Sequence, residues 1–374
     1  MDFEKSVLFA PAEQKPAVGR IIEELKNARE TKTYLKGFGV TTGDEVGLLT
    51  LGGQDVAYGS GWRHAATRRV PDISVYGSHE MIAWARDAQY AINLTRHYVH
   101  HHTRGEKILK SPHLLVDLEA GWGSVAQTFN LVYKLCTEVV PMPSMAHIEN
   151  QNPNIKACGH QLDFEYGGKK KKEPKALIPR KEWLAKLRTA REAAVIASRD
   201  TYNSYAPTLI LARSDSADGI LENGKATTLD DAVDDIIAAH EEVGIQIGWI
   251  EYNTTELKPH MDAAEKIMKR CPSMLGMAVN VSPNKYTEPH EVRSNKLASV
   301  GYVLDFSTIP INLTNQISIL KFMDDFDKEP FEAVLKISDE KMKISMHERY
   351  DGIFKGQAWV GTNWWRALRA GFED

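Results

Sequence analysis

Short apolar runs, most of them ending in a polar or charged residue, recur along the chain and alternate with longer segments of helical period. His113–Glu119 (HLLVDLE) is the strongest strand pattern, and Met145–Gln151, Thr208–Asp215, Gly248–Asn253, Gly276–Ser282 and Tyr302–Thr308 repeat its form. Helical spacing covers 12–36, with Pro16 near its start and Ile21, Ile22, Leu25 and Ala28 on one face. It returns in His79–Arg104, Ser124–Thr137, Trp183–Asp200, Leu229–Val243, Met261–Arg270, Arg293–Val300 and Asn312–Asp327. Two earlier runs, Val46–Thr50 and Val56–Ser60, also read as strands. Only Leu51–Asp55 separates them, too little for a crossover helix between parallel neighbours, so this corner is irregular or one strand is misassigned.

From Leu114 onward strand and helix alternate, which predicts parallel βα units. With both early runs kept there are eight candidate strands, and the expected fold is α/β, a (β/α)8 TIM-type barrel with additional N- and C-terminal helices. A doubly wound sheet is the alternative. The expected division is an N-terminal helical segment (1–44), the catalytic barrel (45–327) and a C-terminal helical or lid segment (328–374).

Composition narrows the function classes. A 374-residue chain with formal net charge −4 carries no sign of a nucleic-acid partner. Its apolar stretches are strand-sized, so no membrane span is expected. Three cysteines (Cys136, Cys158, Cys271) are too few for a disulfide framework and, with no signal-peptide pattern, point to the cytoplasm. Neither GxGxxG after a strand nor GxxxxGK[ST] occurs, which argues against a nucleotide site. His97 and His100–His102 read as a solvated basic helix end, and Gly167–Glu173 (GGKKKKE) as a solvated loop.

In a barrel of this kind chemistry sits at the C-terminal strand ends. Those ends carry Ser60/Gly61/Trp62, Asp117/Glu119, Glu149, Arg213, Glu251, Asn280/Ser282 and Thr308, with Asp72 added from a loop. Clustered carboxylates repel unless a cation lies among them, and oxygen ligands point to Mg²⁺. Asp117 is the expected direct ligand, with Asp72, Glu119 and Glu149 acting partly through water. Arg213 with Asn280, Ser282 and Thr308 then forms a wall for carboxylates, so the ligand is a small polycarboxylate. Strand-end Asp and Ser residues also serve as helix caps, a competing reading strongest for Ser282. The loop after Glu149 carries Lys156, Ala157, Cys158, Gly159 and His160. It is a reactive thiol flanked by two cations, or an inert cysteine before a turn.

These pieces occur in the order of a known family. SGW (Ser60–Trp62), PD (Pro71-Asp72), VDLEAGWG (Val116–Gly123), HIENQ (His147–Gln151) and KACGH (Lys156–His160) are followed by LARSDS (Leu211–Ser216), WIE (Trp249–Glu251), VNVSP (Val279–Pro283) and FSTI (Phe306–Ile309). Over roughly residues 45–320 the chain resembles the isocitrate lyase branch of the isocitrate lyase/phosphoenolpyruvate mutase superfamily.

The resemblance implies Mg²⁺-dependent cleavage of isocitrate to glyoxylate and succinate, as in the glyoxylate bypass, with Mn²⁺ an alternative metal. It implies Cys158, His160, Glu149 and Arg213 as catalytic residues, Cys158 being the acid/base on the succinate side. Asp117, Asp72, Glu119 and Glu149 would hold the metal. Ser60, Gly61 and Trp62 would take the glyoxylate end, Gly159 and His160 the active-site loop, Asn280, Ser282 and Thr308 the succinate carboxylate, and Glu251 would line the pocket. It further implies a homotetramer whose terminal helices are exchanged between subunits.

The chain also departs from that pattern. Ala157 replaces the second basic residue of the motif, Asn284 a serine, and Lys285 and Tyr286 the usual aromatic and polar pair. Residues 161–174 are inserted before Ala176–Pro179, and the first βα connection is short. These changes leave 2-methylisocitrate, a related 2-substituted malate or citrate, or a non-catalytic dicarboxylate binder as alternatives. The terminal stretch with Trp359, Trp364 and Trp365 reads as a lid or subunit contact.

Overall fold

The computed structural model describes residues 10, 17–158, 164–166, 169–171, 175–202, 206–252, 254, 256–280, 290–347, 350, 353 and 359–373. The first half contains α1 (Ala17–Thr31), β1 (Leu35–Gly39), α2 (Gly43–Leu51), β2 (Val56–Gly59), α3 (Gly61–Arg68), α4 (Ser78–His102), β3 (His113–Asp117), α5 (Val125–Glu138) and β4 (Met145–Glu149). Then follow β5 (Phe164–Tyr166), β6 (Lys169–Lys171), β7 (Lys175–Leu177), α6 (Arg180–Tyr202), β8 (Leu209–Ser214), β9 (Gly219–Leu221), α7 (Leu229–Ala238) and β10 (Ile247–Ile250). The chain ends in α8 (Leu257–Arg270), β11 (Gly276–Asn280), α9 (His290–Ser299), β12 (Tyr302–Ser307), α10 (Pro310–Lys328), α11 (Pro330–Ser345) and α12 (Thr362–Glu373).

Eight strands close into a parallel barrel in the order β1-β12-β11-β10-β8-β4-β3-β2. The doubly wound alternative is thereby excluded. Outside it lie the β5–β6 hairpin, over part of the lysine-rich stretch expected to be a loop, and a β7–β9 pair.

Alternation along each strand decides what faces the axis. In β3, Leu114 and Val116 pack outward while Leu115 joins the inner core. In β4, Ala146 and Ile148 face the helices and Met145 faces in. The inner core includes one closed layer of rings: Tyr58 on Phe306 (4.7 Å between centroids), Phe306 on Trp249 (5.0 Å), Trp249 on His147 (4.9 Å) and His147 on Tyr58 (5.8 Å). They come from β2, β12, β10 and β4, alternate staves of the barrel, which is how such barrels fill their interior. At the opposite end α1 buries Val18, Ile21, Leu25 and Ala28 against the strand starts.

Two early assignments change. Val46–Thr50 is helical, within α2, where Thr42 and Glu45 form a reciprocal capping box. The missing strand is β1, so the barrel begins at Leu35 rather than at residue 45. Its sequence, LKGFG, lacks an apolar run because the interior has no space for one. A Cβ on Gly37 would lie 3.0 Å from the Val56 Cβ and 3.2 Å from the Phe306 Cβ. The first helix is also shorter than the 12–36 pattern, ending at Thr31.

Of the C-terminal tryptophans, Trp364 is buried and stacks on His97 of α4, and Trp359 donates its Nε1–H to Asp44 of α2 (2.8 Å). Both pack on this chain. By contrast α10 buries none of its residues, and α10 and α11 expose Ile317, Leu320, Met323, Phe331 and Ile337. Among the described residues no helix is long and apolar enough to cross a membrane.

One ion pair at the closed end gives a pH-dependent prediction. Glu24 of α1 faces Lys110 (2.9 Å) and the buried His113 (3.3 Å). Burial pushes the Glu24 carboxyl up, but the His113 and Lys110 hydrogen bonds outweigh it and hold its pKa down to about 2, from 4.5. Its contribution is therefore present above pH 4.5 and lost as pH falls from there towards 2. Glu24→Gln is expected to remove about 1–2 kcal/mol at pH 7, after allowance for solvent screening, and almost nothing at pH 2. Urea midpoints of both proteins at the two pH values check this; equal losses would show that the pair does not set the acid limb.

Candidate active site

Inward parity continues past the ring layer. Two residues beyond Tyr58 comes Ser60, two beyond His147 comes Glu149, two beyond Trp249 comes Glu251 and two beyond Phe306 comes Thr308. From the intervening staves come Asp117 on β3, Arg213 on β8 and Asn280 on β11. The site is thus a polar layer set on an aromatic floor, with the Arg213 guanidinium 4.5 Å above the Trp249 ring.

Asp117 is held by four donors or ring contacts. Its Oδ2 accepts from the Gly61 N–H (2.9 Å) and the Tyr58 hydroxyl (3.1 Å). Its Oδ1 accepts from the Glu119 N–H (2.9 Å) and lies 3.4 Å from His147 Nε2. Burial raises the Asp117 carboxyl, but His147, Lys156, Arg213 and the Gly61 N–H together hold it below its ordinary range. Burial lowers His147 to a pKa of about 4, so the ring is neutral at pH 7.

Ser60 caps α3, its hydroxyl accepting from the Arg63 N–H (3.4 Å), which aims the helix N-terminus at Asp117. The glycine at 61 is required by space. A Cβ there would fall 2.3 Å from Glu119 Oε1 and 2.5 Å from the Tyr76 hydroxyl. Trp62, the next residue in the first turn of α3, is half-buried.

Glu119 has a left-handed backbone (φ +49°), rare for a side chain of its kind. The turn is pinned by Lys186, whose buried ammonium donates to the Ala120 carbonyl (3.0 Å). Tyr76 donates its hydroxyl to Glu119 Oε1. Burial, then the Asp117 and Asp72 charges, push Glu119 up to about 7 against the pull of Lys156.

Glu149 lies between two cations, Arg213 Nη1 (3.1 Å) and Lys156 Nζ (3.7 Å). Burial raises its pKa well above the ordinary range. Arg213 forks onto Asp215 (2.9 and 3.0 Å). Asp215 also meets the buried Lys175 (3.2 Å) and the Gln151 side-chain amide (3.2 Å). Glu251 is buried beside Arg213 and Lys175, whose charges it helps to offset. Across the mouth Thr308 donates to Asn280 Oδ1 (3.2 Å).

Most of the expected residues meet here: Asp72, Asp117, Glu119, Glu149 and Arg213 form one ionic cluster, with Ser60 and Gly61 abutting it. Cys158 is half-buried in the loop that follows β4, and the preceding Ala157 N–H donates to Gln151 Oε1 (2.9 Å). Gly159, His160, Ser282, Asn284, Lys285 and Tyr286 lie outside the described residues.

One expectation is revised. Lys156, read as a cation for the thiol, is buried against the acids, pairing with Glu119 and lying 3.5 Å from Asp72. The sequence reading also passed over Tyr58, Tyr76, His147, Trp249 and Asp215. The parity of the strands would have found Tyr58, His147 and Trp249, each two residues before a residue already singled out.

The donor set suits a hard divalent cation. Glu119 Oε2 and both Glu149 carboxylate oxygens are buried without a hydrogen bond of good geometry. Among the described residues no three carboxylate, imidazole or thiol groups converge as a ready cage. Mg²⁺ does not need one, since it binds through one or two carboxylates and keeps several waters.

No protein-family model and no curated protein sequence matches the chain. Solved structures do. One is oxaloacetate acetylhydrolase in complex with the inhibitor 3,3-difluorooxalacetate (TM-score 0.60, 18% identity, 84% of this chain and 87% of that one). Another is 2,3-dimethylmalate lyase, a PEP mutase/isocitrate lyase superfamily member (TM-score 0.60, 16% identity, 92% and 99%). A third is phosphonopyruvate hydrolase in complex with oxalate and Mg²⁺ (TM-score 0.57, 13% identity, 87% and 98%). This chain has their fold. The (β/α)8 barrel inferred from the strand–helix alternation is therefore also the fold of these neighbours, one of which is described as a PEP mutase/isocitrate lyase superfamily member.

Proposed function

We propose that the protein is a Mg²⁺-dependent carbon–carbon lyase that cleaves isocitrate to glyoxylate and succinate. The observation that carries this reading is the convergence of Asp117, Glu119, Glu149 and Arg213 at the C-terminal mouth of the barrel, beside a loop bearing Cys158. The order of the motifs from Ser60 to Ile309 supports it, as does the bound Mg²⁺ of a structural neighbour.

In this reading Asp117 would hold the cation directly, with Asp72, Glu119 and Glu149 acting partly through water, and Mn²⁺ could replace Mg²⁺. When bound, the cation supplies Lewis-acid stabilisation of negative charge developing on oxygen. Ser60, Gly61 and Trp62 seat the end that becomes glyoxylate, while Arg213, Asn280, Ser282 and Thr308 hold the end that becomes succinate, with Glu251 lining the pocket. Glu149 takes the C2 hydroxyl proton. The C2–C3 bond then breaks, and its electron pair passes into the carboxylate on C3 as an aci-carboxylate. The Cys158 thiol delivers a proton to that carbon, and the proton on Glu149 returns to the sulfur through solvent. Gly159 and His160 belong to the same loop. Lys186, Tyr76 and Asp215 act as positioning residues.

Exposed apolar side chains along α10 and α11 support a homotetramer with exchanged terminal helices, measurable as mass in solution by light scattering. A cytoplasmic enzyme with no nucleic-acid partner is the matching setting.

Asn284, Lys285 and Tyr286 leave room for one second reading, a related acid such as 2-methylisocitrate, since a single methyl changes binding by only about 1–3 kcal/mol. Aldehyde and keto-acid release should be followed from isocitrate, 2-methylisocitrate, 2,3-dimethylmalate and oxaloacetate, with and without Mg²⁺. Glyoxylate from isocitrate is the expected product, and Cys158→Ser is expected to lower kcat by about 10²–10⁴-fold. Pyruvate from 2-methylisocitrate without glyoxylate from isocitrate would transfer the assignment. Tight dicarboxylate binding with no turnover would make the protein a non-catalytic binder, and an unimpaired serine variant would remove the role given to the thiol.

A further inference from the structure

The acids at the barrel mouth close on a cation of the protein's own. Lys156 is buried, its ammonium paired with Glu119 and 3.5 and 3.7 Å from Asp72 and Glu149. These three carboxylates belong to the set that the proposed function assigns to a divalent cation. We infer that Lys156 is an internal competitor for the metal, occupying the acid cluster in the metal-free protein and leaving it when a divalent cation enters.

Two physical arguments and one observation converge on this. An ammonium and a divalent cation within one buried pocket repel strongly, because little solvent lies between them to screen the charges. Each alone neutralises the acids, and a buried carboxylate without a counter-charge is costly. The described carboxylates also form no ready cage, as is expected of groups arranged around an ammonium, which has three donors and no need of a coordination polyhedron.

Lys156 lies on the loop that leads to Cys158. The Lys156 ammonium and the Ala157 N–H on Gln151 both anchor that loop in the site. Expelling Lys156 removes the first and leaves the second, so metal loading and the position of the thiol become one equilibrium. A cation that binds only when Lys156 has withdrawn shows an affinity reduced by the fraction of molecules in that state.

The inference rests on the metal reading of the site, and the test separates the two. Mn²⁺ binding to the full-length protein is measured by the loss of the free-ion electron paramagnetic resonance signal, in wild type and in Lys156→Met. Removal of the competitor is expected to tighten Mn²⁺ binding at least about tenfold. Equal or weaker binding by the variant would overturn the inference while leaving the metal site standing. Failure of both proteins to take up Mn²⁺ would overturn the metal reading and the inference with it. A second measurement needs no variant: acetylation of wild-type lysines by a soluble acylating reagent, read by mass spectrometry. Lys156 is expected to be protected without metal and modified at least about fivefold faster with saturating Mn²⁺, with distant lysines unchanged. Unchanged protection at saturation would show that the ammonium stays in place, and the inference would fail.

Discussion

Arg213→Met is expected to cost about 3–5 kcal/mol of stability, the largest loss from any single substitution at the site. The guanidinium stands between two buried carboxylates, forked onto Asp215 at 2.9 and 3.0 Å and 3.1 Å from Glu149. Burial disfavours the Arg213 charge, yet Asp215, Glu149 and Glu251 outweigh it and leave the arginine more firmly protonated than in water. Methionine fills much of the same volume above Trp249 but offers no charge. Asp215 would keep the Lys175 ammonium and the neutral Gln151 amide, and Glu149 only the more distant Lys156. The measurement is the urea unfolding midpoint with its slope. The double variant Arg213→Met/Asp215→Leu, which also removes one stranded carboxylate, is expected to recover a substantial part of the loss. A cost below about 1 kcal/mol for the single variant would mean that water reaches these carboxylates and that the network is not a closed one.

Asp117→Asn is expected to lower turnover of the accepted substrate by at least about 10³-fold, equivalent to about 4 kcal/mol of transition-state stabilisation. The substitution is nearly isosteric, so packing is preserved while the charge is lost. It also breaks at least one hydrogen bond by setting two donors against each other. Both Asp117 oxygens accept, one from Gly61 and Tyr58 and the other from Glu119. An asparagine amide must aim its NH₂ group at one of these donor sets. The variant should therefore bind Mg²⁺ at least about tenfold more weakly in calorimetric titration, and excess Mg²⁺ should not restore the rate. Retention of a tenth or more of the activity would place the metal ligand elsewhere in the cluster.

The legible parts of the sequence were those where a short apolar run met an acid. β3 and β4 are five-residue strands buried throughout, and Asp117 and Glu149 end them. β1 was illegible for a geometric reason. Its glycines leave room for Val56, Phe306 and Thr308, so the residues that would have marked it as a strand are ones the barrel cannot admit. α2 was mistaken for a strand because Val46, Leu49 and Leu51 fall close together, although the Thr42–Glu45 cap was present in the sequence. Tyr58, His147 and Trp249 lay inside apolar runs and looked like ordinary core. Their relation to the site appears only once the strands close and alternate staves contribute to one level. Lys156 was seen, but its partner Asp72 is 84 residues away, and nothing local distinguishes a lysine that serves a neighbouring thiol from one that crosses the pocket.

The four-ring level beneath the pocket has an evolutionary corollary. Each ring is wedged against two others, so a change of bulk at any of them would be transmitted to four staves together. The segments that continue beyond the staves carry no such obligation. Under the proposed function, acceptance of a longer, shorter or branched acid can therefore drift by exchange at the rim, while the foundation keeps presenting its charges at a constant height. A lineage built this way could change what the rim admits without rebuilding the charged layer that lies beneath it.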